Sequence, residues 1–213
     1  MERKTILKRI NDIDTEIIKL KDTLQRIEMI NLLASPVEYE KLTTEAAVQS
    51  EQIACKFRHL IYATVNISKP ELMKKVADAH GIEISYEDEI FSVAIPSLLP
   101  KKRRAASMEF LIDPLFYALE RYFTFTDIER FRECVVCFTH IYSADTPKKR
   151  VRDYDNLETK QVLDAVAVYA MMDDSGRLCD VYHSTEYGSK DCTLVSVMSK
   201  NKFKEWVAVR YNS

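Results

Sequence analysis

Residues 147–164 read Pro-Lys-Lys-Arg-Val-Arg-Asp-Tyr-Asp-Asn-Leu-Glu-Thr-Lys-Gln-Val-Leu-Asp, and a helical run then leads to Asp-Asp-Ser-Gly at 173–176. A basic loop, two aspartates around Tyr154, a helix carrying Lys160 and Asp164, and the pair Asp173-Asp174 thus follow one another closely. In an extended segment, side chains two apart share a face, so Asp153 and Asp155 would present two carboxylates together. A hard cation such as Mg²⁺ takes such oxygens and keeps waters and phosphate oxygens as its other ligands. Basic residues beside such acids suit a site that grips a phosphate backbone and hydrolyses it with a metal ion. A plainer reading uses the same residues. Asp155 with Glu158 has the form of a capping box. Lys160 and Asp164 form a surface ion pair worth under ~1 kcal/mol, and Asp-Asp-Ser-Gly is ordinary turn chemistry. Against it, two acids at a helix C-terminus face the negative end of the macrodipole, which favours a nearby positive charge. On the residues alone both readings stand.

Upstream of this stretch the period of the apolar residues changes twice. Ile6, Ile10, Ile13, Ile17, Leu20, Leu24 and Ile27 advance by alternating steps of four and three, an a/d seam on a long helix that Ser35-Pro36 stops. A second periodic run over residues 37–64 follows with little connection, which predicts an antiparallel, coiled-coil-like helical hairpin. Ser-Lys-Pro-Glu at 68–71 starts a short helix that Gly81 ends. Beyond it Ile82, Ile84 and Tyr86 alternate with polar residues, and residues 90–95 form a second strand. A helix over 107–123 follows, then the strand-like Arg-Glu-Cys-Val-Val-Cys-Phe-Thr-His-Ile-Tyr at 132–142. The central helix is read from about Asn156 to Met172. Strands over 178–187 and 193–198, with a last one at 206–210, close an α+β arrangement. Residues 1–80 are expected to form a helical arm, and residues 81–213 a mixed sheet with helices on one side.

The 213 residues carry a net charge of −2, so no global field draws the chain to nucleic acid. Any such binding falls to local clusters at Lys101, Lys102, Arg103 and Arg104, and at Lys148, Lys149, Arg150 and Arg152. No stretch has the length and apolarity of a membrane span. Five cysteines without regular spacing and a charged N-terminus predict a reduced, cytoplasmic protein. The Cys134–Cys137 pair lies in a strand whose alternation points the two thiols to opposite faces, which disfavours a zinc site.

The order basic loop, Asp-x-Asp-Asn-Leu, helical lysine and aspartate, then Asp-Asp resembles the RusA family of Holliday junction resolvases, over about residues 89–213. That resemblance implies a Mg²⁺-dependent endonuclease, with Mn²⁺ as a substitute, acting on branched DNA as a homodimer. It implies that Asp153, Asp155 and Asp174 hold the metal, that Lys160 serves the transition state, and that Asn156, Asp164 and Asp173 support them. The two basic clusters would hold flanking phosphates. The chain has one residue more than the family pattern between Asn156 and Lys160, and residues 1–80 lack a counterpart in compact members. These departures frame the alternative: a resolvase-like scaffold without turnover, binding nucleic acid or working as an assembly protein with a protein partner on its helical arm.

Overall fold

The structure, a computed structural model, describes residues 3–32, 34–102, 109–146 and 151–211. It separates into two compact units, Met1–Ser68 and Lys69–Ser213.

The first unit is the helical hairpin. Helix α1 (Arg3–Met29) and helix α2 (Pro36–Thr64) are joined by a short turn, and Pro36 opens α2, where its missing N–H costs nothing. Ile13 and Thr23 of α1 and Leu42 and Ala46 of α2 are buried. Lys56 of α2 reaches Glu16 of α1 at 2.9 Å, and this hydrogen bond holds the Glu16 carboxyl below the usual carboxylate range. Only part of the expected seam is covered: Ile13 is buried, whereas Ile10, Ile17 and Leu24 stay exposed.

In the second unit, α3 (Lys69–Ala79) ends at Gly81, whose φ of 67° is the left-handed conformation that glycine adopts without steric cost. The sequence grouped α3 with the helical arm. Instead it packs on α4 (Glu109–Phe125), with Arg121 bonding Asp78 at 2.5 Å. Strands β1 (Glu83–Glu87) and β2 (Ile90–Ile95) form a hairpin whose turn places Asp88 and Glu89 at positive φ. Lys202 donates to Asp88 at 2.7 Å across this turn.

Strands β3 (Cys134–Ser143), β4 (Cys179–Gly188) and β5 (Cys192–Ser199) complete a sheet ordered β1-β2-β5-β3-β4. Only β3 and β4 run parallel, joined across helix α5 (Lys160–Ala170), as parallel neighbours require. The face bearing Phe91, Val93, Val136, Phe138, Val195 and Val197 packs against α4 and α5. Val135, Cys137 and Met198 point the other way, against Tyr182, Phe203 and Trp206. Cys134 and Cys137 therefore sit in different clusters, buried and as free thiols.

Two expectations are corrected here. The last segment is a helix, α6 (Lys200–Tyr211), and not a strand. Its alternating, β-branched composition is overridden by packing, since Phe203, Trp206 and Arg210 share a helical face, with the Arg210 guanidinium 4.3 Å above the indole. Helices consequently cover both sides of the sheet instead of one. The mixed α+β architecture itself is as the sequence indicated.

Phe138 is fully buried between the sheet and its helices, so Phe138→Ala is expected to cost about 3–5 kcal/mol. Urea unfolding followed by fluorescence of Trp206, the single tryptophan and a member of this unit, measures it.

Candidate functional site

The acidic stretch follows β3. Tyr142, at the end of that strand, accepts the Arg152 backbone N–H at 3.1 Å through its hydroxyl, and the Arg152 guanidinium donates to the Leu99 carbonyl at 2.8 Å. Arg152 thus ties the loop to the fold instead of standing free for a phosphate. Lys101 and Lys102 are exposed. Arg103, Arg104, Lys148, Lys149 and Arg150 lie outside the described residues.

Residues 154–156 form a 3₁₀ turn, with Asp153 as its cap. That turn has a period of three and not two, so Asp153 and Asp155 do not share a face as an extended chain would make them. Tyr154, between them, lays its ring against His183 while staying 39% exposed, and both aspartates are exposed. The following helix starts at Lys160 instead of Asn156. The delay has a physical cause. The Leu157 side chain is buried, Leu157 bridges Lys101, the Asn156 carbonyl accepts the Lys102 N–H at 2.7 Å, and the Glu158 N–H donates to Pro100 at 3.0 Å. Pairing with residues 100–102 occupies the backbone groups that a helix would have used.

Lys160 bonds Asp164 at 3.0 Å on a surface where the side chains are 74% and 45% exposed. Its pKa is raised, chiefly by that hydrogen bond, with Asp174 and Glu158 adding negative field. Lys160, Asp164 and Asp174 are therefore electrostatic neighbours. Asp173 accepts the Ser175 N–H at 3.2 Å, and its contacts with Ser175 lower its pKa, which is the turn chemistry foreseen as the plainer reading. Among the described residues no group of three or more His, Cys, Asp or Glu stands ready to hold a metal ion. Asp153, Asp155 and Asp174 are not gathered into one.

Under Tyr154 lies a cluster that the sequence did not reveal. His140 on β3 and His183 on β4 approach with Nε2 and Nδ1 3.3 Å apart. Their ring centroids are 5.6 Å apart and their planes 9° from parallel. Those values together require rings lying edge to edge in nearly one plane, with a single proton between the two nitrogens. Tyr154 packs its ring against both, at 5.6 and 5.1 Å, and its hydroxyl meets Thr185 at 3.0 Å. Burial, reinforced by the neighbouring His183, pushes the His140 pKa down to about 4, and burial lowers that of His183. Burial thus favours the uncharged form of both rings against which Tyr154 packs. Their pairing depends on parallel-strand register, which leaves no local trace.

A second surface is on the hairpin. Ile10, Ile17 and Leu24, seven residues apart, are 45%, 42% and 47% exposed, whereas Ile13 of the same seam is 4% exposed. Near the N-terminal end of α1 a cavity of 430 Å³ opens between the helices, lined mainly by apolar surface from Ile13, Tyr62 and Ala63, with Arg9, Lys56 and His59 at its edge.

A family model described as a family of unknown function (DUF6100) matches residues 2–213. The chain belongs to this family. No curated protein matches it. Two solved structures resemble it at 10% identity and a TM-score of 0.33. One is the periplasmic domain of MotB from Helicobacter pylori (62% of this chain, 88% of that one), the other a putative MotB-like protein from Desulfovibrio vulgaris (61% and 90%). Likeness at that level carries no functional argument.

The family assignment overturns the resemblance to RusA resolvases. One family model spans both units, hairpin included, where the resemblance had left residues 1–80 without a counterpart. The Holliday junction endonuclease, its branched-DNA substrate, the homodimer taken from that family and the inactive-resolvase alternative fall with it.

The histidine pair carries a pH prediction. The folded His140 pKa lies below the unfolded value near 6.5, so the unfolded chain binds the extra proton. The stability tied to a neutral His140 is complete above about pH 6.5 and is lost as pH falls toward 4. Between about pH 7 and pH 5 the loss from His140 is about 2 kcal/mol, and His140→Phe should remove most of it. Urea midpoints by Trp206 fluorescence at the two pH values decide this, and an equal loss in the variant would refute it. Lys160→Ala, by contrast, should change stability by less than ~1 kcal/mol in the same assay.

Proposed function

We propose that the chain is a docking protein whose working surface is the uncovered side of the helical hairpin, and that it binds another protein there. The observation that carries this reading is the regular exposure of Ile10, Ile17 and Leu24 beside a buried Ile13. Exposed apolar residues are common singly and need no explanation. A file of three at heptad spacing is different, because positions seven apart fall on one line along a helix and offer a continuous strip to a partner helix. α2 covers the half of the seam that holds Ile13. The strip that remains has the form of a helix-binding groove wall. Covering each of its side chains would contribute on the order of 1 kcal/mol, given the half already buried.

Chemistry on the second unit offers less support for a function of its own. The Lys160–Asp164 pair is a solvent-facing ion pair, and buried His140 and half-buried His183 pack against Tyr154, whose hydroxyl meets Thr185.

The reading separates interface from core. Ile10→Lys, Ile17→Lys and Leu24→Lys should each change the thermal stability of the isolated chain by no more than about 0.5 kcal/mol, whereas Ile13→Lys should cost about 3 kcal/mol or more. In the cells that naturally make the protein, the tagged wild-type chain should retain a stoichiometric partner that the triple variant loses. Destabilisation by the three substitutions as large as that of Ile13→Lys would assign the strip to the core and end the reading.

A further inference from the structure

The histidine pair of the second unit has a property that is independent of the hairpin. With His140 Nε2 and His183 Nδ1 facing at 3.3 Å, one proton serves both nitrogens. The neutral pair is satisfied when His140 donates from Nε2, which leaves its Nδ1 as a bare acceptor. That atom is buried and has no hydrogen-bond partner among the described residues. One more proton changes this, whichever ring takes it. If His140 is charged, its Nδ1 carries the new proton. If His183 is charged, its Nδ1–H fills the gap between the rings, and His140 must carry its own proton on Nδ1. Both routes strand a buried N–H without an acceptor, a cost the neutral pair does not bear. The groups around the pair do not relieve it. Glu186, one residue past Thr185 on β4 and so on the other face, bonds Arg210. Asp153 and Asp155 on the turn are exposed, and Lys160 and Asp164 of α5 pair with each other at the surface. Thr193 of β5, opposite His140, is uncharged and gives its hydroxyl to the Ser97 carbonyl, while the Tyr142 hydroxyl is taken by the Arg152 N–H. Among the described residues burial and His183 push His140 down to about 4, burial lowers His183, and no carboxylate supports the charge of either ring.

Two aromatic residues stack on both rings. Phe138 is fully buried, whereas Tyr154 is 39% exposed, so water stands on its outer side. The turn that carries Tyr154 lies between two fixed points. On one side Arg152 is tied to Tyr142 and to the Leu99 carbonyl. On the other, Leu157 is buried and the Glu158 N–H is held by Pro100. Between them the Asn156 and Leu157 N–H groups donate to the Asp153 and Tyr154 carbonyls, both at 3.1 Å, and Asp153 adds no side-chain cap bond. We propose that residues 153–156 are an acid-opened flap: uptake of one proton by the histidine pair lifts Tyr154 off both rings and lets water accept the stranded N–H of His140. The flap gives up the Tyr154–Thr185 hydrogen bond and the two turn bonds, and the anchors at Arg152 and Leu157 stay in place. Acid thereby replaces a tyrosine at this surface with a charged imidazole pair.

Amide hydrogen exchange of the full chain by NMR, at about pH 7 and pH 5 and over sub-denaturing urea, tests this once the intrinsic pH dependence of exchange is divided out. The Asn156 and Leu157 N–H groups report the flap, and the amides of β3 report global unfolding. With His140 at about 4 when closed and near 6.5 when open, the flap should open about 20-fold more often at pH 5 than at pH 7. This opening should depend little on urea, whereas the β3 amides should exchange only through a more protected, strongly urea-dependent transition. His140→Phe, which removes Nδ1, should abolish most of the pH response. Tyr154→Phe, which loses only the bond to Thr185, should open the turn several-fold more at both pH values and keep the same ratio between them. Equal opening at the two pH values would overturn the flap. So would exchange of Asn156 and Leu157 only together with β3, or an undiminished pH response in His140→Phe.

Discussion

The second unit is built on a strand that has neighbours on both edges and cover on both faces. From Cys134 to His140 every residue of β3 is buried, paired to β5 on one side and to β4 on the other. A strand in that position must satisfy all its backbone groups within the sheet and bury alternate side chains into two separate cores. Val136 and Phe138 enter the core under α4 and α5, and Val135 and Cys137 enter the smaller one under α6. Because the neighbour on one edge runs parallel, a crossover is obligatory, and α5 is that crossover. The surroundings of residues 151–174 follow from this requirement before any chemistry is considered.

That origin explains why the acidic stretch does not close into a metal-binding cluster. Its backbone is recruited to pair with residues 100–102, Leu157 is drawn into the core, and Tyr154 is drawn onto the histidine pair. Leu157 is buried by this pairing, while Asp153 and Asp155 stay exposed. What the loop gains is a fixed position on the sheet. His140 is buried and His183 half-buried, and burial favours the neutral form of both rings on which Tyr154 packs.

The hairpin obeys a different rule. α2 buries Ile13 of the α1 seam but leaves Ile10, Ile17 and Leu24 exposed. The excess has a regular repeat and lies next to a basic, partly apolar cavity. Regularity is the property that sets it apart from scattered surface apolar residues, since a helical partner reads spacing before it reads identity.

The sequence alone determined the elements with strong local periods. The hairpin was legible from steps of three and four, the stop at Gly81 from glycine chemistry, and strands β2, β3 and β5 from alternation or β-branched runs. The opposite faces of Cys134 and Cys137 followed from the same alternation. The turn reading of Asp173 was also open from residues alone, because a short side chain bonding its own backbone two residues on needs no distant partner. Tertiary structure decided the rest. Residues 206–210 alternate like a strand, yet packing of Phe203 and Trp206 on the sheet makes them helical. The start of α5 moved to Lys160 because residues far upstream claim the backbone before it. The histidine pair joins side chains 43 positions apart through parallel register. Local propensity carries no information about any of these, since each is set by which segment arrives alongside, and that is fixed only when the whole core is buried.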